Sequence, residues 1–146
     1  MLLLSRTIHF NAAHRLWNPE KDEAWNRATY GEASSASCYG HNYTLDVFVA
    51  GEADPDSAMI VNLTDLDRIL REEVDRPLDH RNLNAEVAEF ARRAPTAENL
   101  ARWIWDRVAA RIEAEGWRCR LAQISLRVTP TFSVELADPE LAGRLL

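Results

Sequence analysis

Apolar and polar residues alternate from Leu2 to His14, placing Ile8, Phe10, Ala12 and His14 on one face. A period of two predicts a first strand. The pattern returns over residues 39–50, where His41, Tyr43, Leu45, Val47 and Val49 share a face opposite Thr44 and Asp46. The intervening residues 18–37 are polar and turn-rich and read as a long loop, a kind of segment that often carries function. After a turn around Pro55 the spacing becomes helical: Leu63, Leu66, Ile69, Leu70 and Val74 form a stripe. Pro77 is expected to end that helix, because it has no N–H for the ladder. Thr96 is a predicted N-cap for a second helix. Leu100, Trp103, Ile104, Val108 and Ile112 are its buried stripe, and Gly116 its stop. Two last strands are predicted over residues 121–128 and 132–137, joined through Thr129-Pro130-Thr131. Strand, strand, helix, helix, strand, strand is an α+β order, with an antiparallel sheet covered by helices on one face.

The length of 146 residues fits one domain, and 47% hydrophobic with 27% charged residues is ordinary for a globular chain. A net charge of -6 without a basic run argues against nucleic acid as a partner. No apolar stretch reaches the length of a membrane span, and Met1-Leu2-Leu3-Leu4 is too short for a signal-peptide core. Two scattered cysteines, Cys38 and Cys119, do not form a disulfide framework; a reduced, cytoplasmic protein is the simpler expectation. Cys38 can be nucleophilic if its thiolate is stabilised, but it is expected to point away from the His41 face and to be inert; packing is the simpler role for Cys119.

Three groups of residues offer chemistry. His14 ends the apolar face of the first strand and His41 begins that of the second. Paired strands would bring both imidazoles to one end of the sheet, where they can bind zinc or stand as ordinary strand-end histidines. The spacing supplies no third ligand. In Asp79-His80 the carboxylate can orient the imidazole and raise its basicity for acid–base work, or the pair is a polar loop after a helix. Glu98 lies in the first turn of the second helix, where the dipole alone favours a carboxylate; a buried Glu there can also accept from a guanidine-like ring edge.

Phe10-Asn11-Ala12-Ala13-His14-Arg15-Leu16 and Gly40-His41-Asn42-Tyr43 resemble the paired zinc motifs of 6-pyruvoyltetrahydropterin and 6-carboxytetrahydropterin synthases. Asn62-Leu63-Thr64-Asp65-Leu66, Pro77-Leu78-Asp79-His80-Arg81-Asn82-Leu83-Asn84, Pro95-Thr96-Ala97-Glu98-Asn99-Leu100 and Thr129-Pro130-Thr131 are similar to later blocks of that family, in family order. The resemblance implies a tunnelling fold: a four-stranded antiparallel sheet with two helices on one face. It also implies a homo-oligomeric barrel, commonly a hexamer, with sites between subunits. The expected chemistry is that of a lyase on 7,8-dihydroneopterin triphosphate, with zinc on three histidines, a cysteine base assisted by an Asp-His pair, and a late glutamate holding the pterin.

Carried over by position, His14 and His41 match two metal ligands, Asp79 and His80 match the acid–base pair, and Glu98 matches a substrate-binding position. Tyr39 stands at the third ligand position and Ala33 at the cysteine. Val128 stands at the late glutamate, and Phe132 where a small polar residue is common. The pocket is therefore expected to be more apolar and short of metal donors, with Asp79-His80 as its acid–base pair and Tyr39 as a proton donor. Three functions follow as expectations: an enzyme with the same scaffold and a changed, non-pterin small-molecule reaction; a conventional synthase with ligands from unexpected positions such as Cys38 or Tyr39; or a noncatalytic binding or assembly subunit.

Overall fold

The computed structural model describes residues 1–145, with side chains as far as Ala142. In chain order the elements are β1 (Leu2–His14), α1 (Glu23–Tyr30), β2 (Tyr39–Gly51), α2 (Leu63–Leu70), α3 (Arg76–Leu78), β3 (Arg81–Asn82), α4 (Leu83–Glu86), α5 (Ala97–Glu115), β4 (Cys119–Thr129), β5 (Phe132–Ala137) and α6 (Pro139–Leu145). β1 and β2 pair antiparallel along their whole length, from Leu2 opposite Gly51 to His14 opposite Tyr39. β4 adds to β2 and β5 adds to β4, both antiparallel.

The sheet has five strands in the order β3-β1-β2-β4-β5, not four, and it is mixed. β3 lies parallel to β1, with Ala12 opposite Arg81 and Ala13 opposite Asn82. A strand of two residues has no alternation to read in a sequence. The backbone of Asn11 holds the chain just before it. The Asn11 N–H donates to Asp79 Oδ1 at 2.9 Å, and its carbonyl accepts from the His80 N–H at 2.6 Å.

The helical face of the sheet carries the core. Leu45, Val47, Val49, Ile124 and Leu126 meet Leu66, Ile69, Val74, Leu100, Ile104 and Val108, all fully buried. Each such side chain contributes about 1.5–3 kcal/mol of burial free energy. α5 begins and ends where its caps predict: Thr96 Oγ1 accepts from the Asn99 N–H at 3.2 Å, and Gly116 adopts a left-handed φ of 69°. The opposite face of the sheet is not bare. Leu141 of α6 is buried there against Ala50 and Ala122, beside Phe48.

Two further expectations are corrected. The segment read as a loop contains α1 and a 3₁₀ turn at Gly31–Ser34. Asn26 is the one buried residue of α1, so no apolar stripe announces it. An Asp22 cap and the Asn26 amide hold it instead; Asn26 accepts from the Asn18 N–H at 2.7 Å and donates to the Asn18 and Asp22 carbonyls.

Pro77 does not end the first long helix. α2 passes through a π-type turn at Arg71–Asp75 into α3, which contains Pro77. Proline cannot donate to the Glu73 carbonyl four residues back. That oxygen accepts from Arg107 Nε at 3.2 Å, while Arg107 Nη2 lies 2.7 Å from Glu73 Oε2. The side-chain donor replaces the missing helical one. Among the described residues, no helix is long and apolar enough to cross a membrane.

Arg107→Ala is expected to lower stability by about 1–3 kcal/mol, read as a lower Tm. In a Pro77→Ala background the Glu73 carbonyl regains a helical N–H, so the same change should cost less; equal costs in both backgrounds would contradict this account.

Candidate functional site

Strand register builds the first part of the site. Phe10 faces Tyr43, Ala12 faces His41 and His14 faces Tyr39, all on the helical side of the sheet. Phe10 and Tyr43 stack with centroids 4.8 Å apart. The ring centroids of His14 and Tyr39 are 4.7 Å apart, those of Tyr39 and His41 5.3 Å, and those of His14 and His41 5.6 Å. Gly40 permits this pairing: a Cβ there would lie 2.7 Å from the Ala12 carbonyl oxygen.

Burial disfavours charge in the cluster. His14 is 3% exposed; burial, then the neighbouring His41, pushes its pKa down to about 4. Burial also lowers His41 and raises Tyr39, and burial followed by Tyr39 raises Tyr43. Tyr43 Oη lies 3.4 Å from His14 Nδ1.

The second part comes from the chain after α3. His80 Nδ1 lies 2.9 Å from Asp79 Oδ2, and Asp79 Oδ1 accepts from Asn11. Burial pushes the Asp79 carboxyl up, but the Asn11 N–H and His80 outweigh it and leave it below the ordinary value. His80 sits at a left-handed φ of 59°, with its side chain 75% exposed. His80 and His41 line one open cleft of about 640 Å³, together with Asn11, Gly40, Asn82 and Glu86.

His14, Tyr39 and Asp79 are not among the residues that line it, and the other sequence-predicted residues also lie outside this cleft within one chain. Glu98 is exposed at the start of α5. Val128 is buried in the core, and Phe132 is 45% exposed at the start of β5. Ala33 is half-buried in the 3₁₀ turn, its carbonyl accepting from the Leu16 N–H at 2.8 Å. Cys38 adopts a φ of 59° and its Sγ lies 3.7 Å from Asn82 Nδ2; Cys119 is buried.

Three contributors carry no motif signal of their own. Tyr43 belongs to the His41 face by alternation, a hint of position but not of a hydrogen bond. Asn11 acts through its backbone, which no side-chain pattern reveals. Asp75 lies one turn before Asp79; its buried Oδ1 has no hydrogen-bond partner among the described residues, and burial, then Asp79, raises its carboxyl.

A profile of the family described as 6-pyruvoyl tetrahydropterin synthase matches residues 3–138. The chain belongs to the 6-pyruvoyl tetrahydropterin synthase family. It is 40% identical over 111 residues to the 6-pyruvoyl tetrahydrobiopterin synthase of Poecilia reticulata, covering 76% of each chain. Against the Homo sapiens protein of the same description it is 41% identical over 103 residues, 70% of this chain and 71% of the other. The solved 6-pyruvoyl tetrahydropterin synthase of Caenorhabditis elegans superposes with a TM-score of 0.85 at 28% identity, covering 94% of this chain and 95% of that one.

Zinc, which the resemblance implies, does not fit the donor set. No three His, Cys, Asp or Glu side chains converge on one point among the described residues. His14 and His41 offer two neutral imidazoles, whereas a protein zinc site takes at least three protein donors. The third corner is the Tyr39 phenol.

In metal-free protein, the His14 imidazole is expected to titrate near pH 4 by NMR. Its folded pKa lies below the unfolded value of 6.5, so this group's stability contribution is full above 6.5 and is lost as pH falls towards 4. A His14 titration near 6.5 would contradict the burial account.

Proposed function

We propose that this chain is a pterin-type lyase of the kind for which its relatives are named, acting on 7,8-dihydroneopterin triphosphate or a closely similar pterin. Asp79-His80 makes the proton transfers in the cleft shared with His41. One observation carries the chemistry: His80, which lines that cleft, has its Nδ1 held 2.9 Å from Asp79 Oδ2, in a chain 40% identical to a named synthase over three quarters of its length.

Asp79 is kept ionised and fixes the direction of His80. His80 Nε2 is then left to take a proton from the substrate, and the carboxylate stabilises the imidazolium that forms. Tyr39, an uncharged phenol beside the cleft, can donate to an oxygen on which charge develops. No step is assigned to zinc.

The same reading includes a homo-oligomeric barrel, with six subunits as the family pattern suggests. Glu98, Val128, Phe132 and Ala33 stand away from the cleft within one chain, so a neighbouring subunit would have to bring them to it. What supports assembly is β5, six residues long at the free edge of the sheet.

A second reading is favoured by the phenol at the third corner of the His14–His41 cluster. In it the pocket has lost polar selection for a pterin and takes a less polar small molecule, either as substrate or as a bound ligand without turnover.

Product formation from 7,8-dihydroneopterin triphosphate, with and without added zinc, separates the two. The first reading expects turnover, and a loss of about 100- to 10,000-fold in kcat for His80→Ala and Asp79→Asn. No turnover by the assembled wild-type protein, with assembly read by native mass spectrometry, would overturn it.

A further inference from the structure

His14, Tyr39 and His41 form a nearly equilateral triangle of rings, with sides of 4.7, 5.3 and 5.6 Å between centroids. Strand register fixes all three corners. Tyr39 is directly opposite His14 and two residues before His41, so the register sends its side chain to the same face as both imidazoles. The Tyr39 ring is in aromatic contact with both imidazoles, tilted 53° to His14 and 88° to His41. Two of the corners are good neutral nitrogen donors. The third is a neutral hydroxyl on a longer side chain, a poor zinc ligand.

We propose that Tyr39 alone keeps this corner from being a three-imidazole zinc site. The strand pairing retains the placement a metal site needs, and the side chain at position 39 decides whether a metal is held. His80 lines the same cleft as His41, but Asp79-His80 does not replace the missing donor: no three His, Cys, Asp or Glu side chains meet among the described residues. The proposal rests on the reading of this cleft as the functional site. Zinc content is measured without any turnover, so its failure and that of the pterin reading are separate results.

Wild-type protein, Tyr39→His and Tyr39→Phe are equilibrated with zinc, desalted and analysed for metal per chain; the same samples are loaded with Co(II) and their visible spectra recorded. Tyr39→His is expected to retain close to one zinc per chain, to show the intense absorption of tetrahedral cobalt, and to bind zinc on the order of 100-fold more tightly than wild type. Tyr39→Phe should match wild type, and His14→Ala should abolish the gain in the Tyr39→His background. Tyr39→Cys, which supplies a thiolate from a smaller side chain, gives the same readout if Tyr39→His folds poorly. Stoichiometric zinc on wild-type protein that is lost with His14→Ala would overturn the proposal. So would a folded Tyr39→His and a folded Tyr39→Cys that both bind zinc no better than wild type.

Discussion

Everything at the site depends on the register between β1 and β2. The two strands pair over thirteen residues each, and the alternation that sends Leu45, Val47 and Val49 into the core also sends His41 and Tyr43 to that side. Slipping the pairing by one residue would turn both sets to the other face. The core therefore specifies the arrangement of the functional end. Phe10 on Tyr43, fully packed, is where one passes into the other.

The second catalytic candidate is tied to the same strand by different means. The peptide groups of Asn11 receive Asp79 and His80, one through a carboxylate and one through an N–H. That attachment requires the helical run before Asp79 to arrive at a fixed phase. The π-type turn and Pro77 set the phase, and the Arg107 guanidinium satisfies the carbonyl that Pro77 leaves open. A contact across the helical layer thus supports a pair of side chains on the edge of the sheet.

Much of this was legible from residue order. β1 and α5 were readable to their ends because alternation and capping residues mark them, and His14, His41 and the Asp79-His80 pair stood out as chemistry. α1 was not readable, since a helix held by polar caps and one buried asparagine has no stripe. β3 was too short to have a period. Pro77 misled because the donor that compensates for it lies thirty residues further along. The cleft itself depends on backbone groups of Asn11 and on the close approach allowed by Gly40, neither of which a side-chain pattern records. Ala33, Val128 and Phe132 drew their interest from the family resemblance and Glu98 also from its place in the first turn of α5, and a single chain leaves all four apart from the cleft.

The backbone at His80 has a further consequence. A residue with a Cβ in the left-handed region carries a steric penalty of about 1–2 kcal/mol that glycine would escape. The turn at His80 is therefore held at a conformational cost, which its two anchors, the Asn11 carbonyl on its N–H and the Asp79 carboxylate on its ring, have to offset.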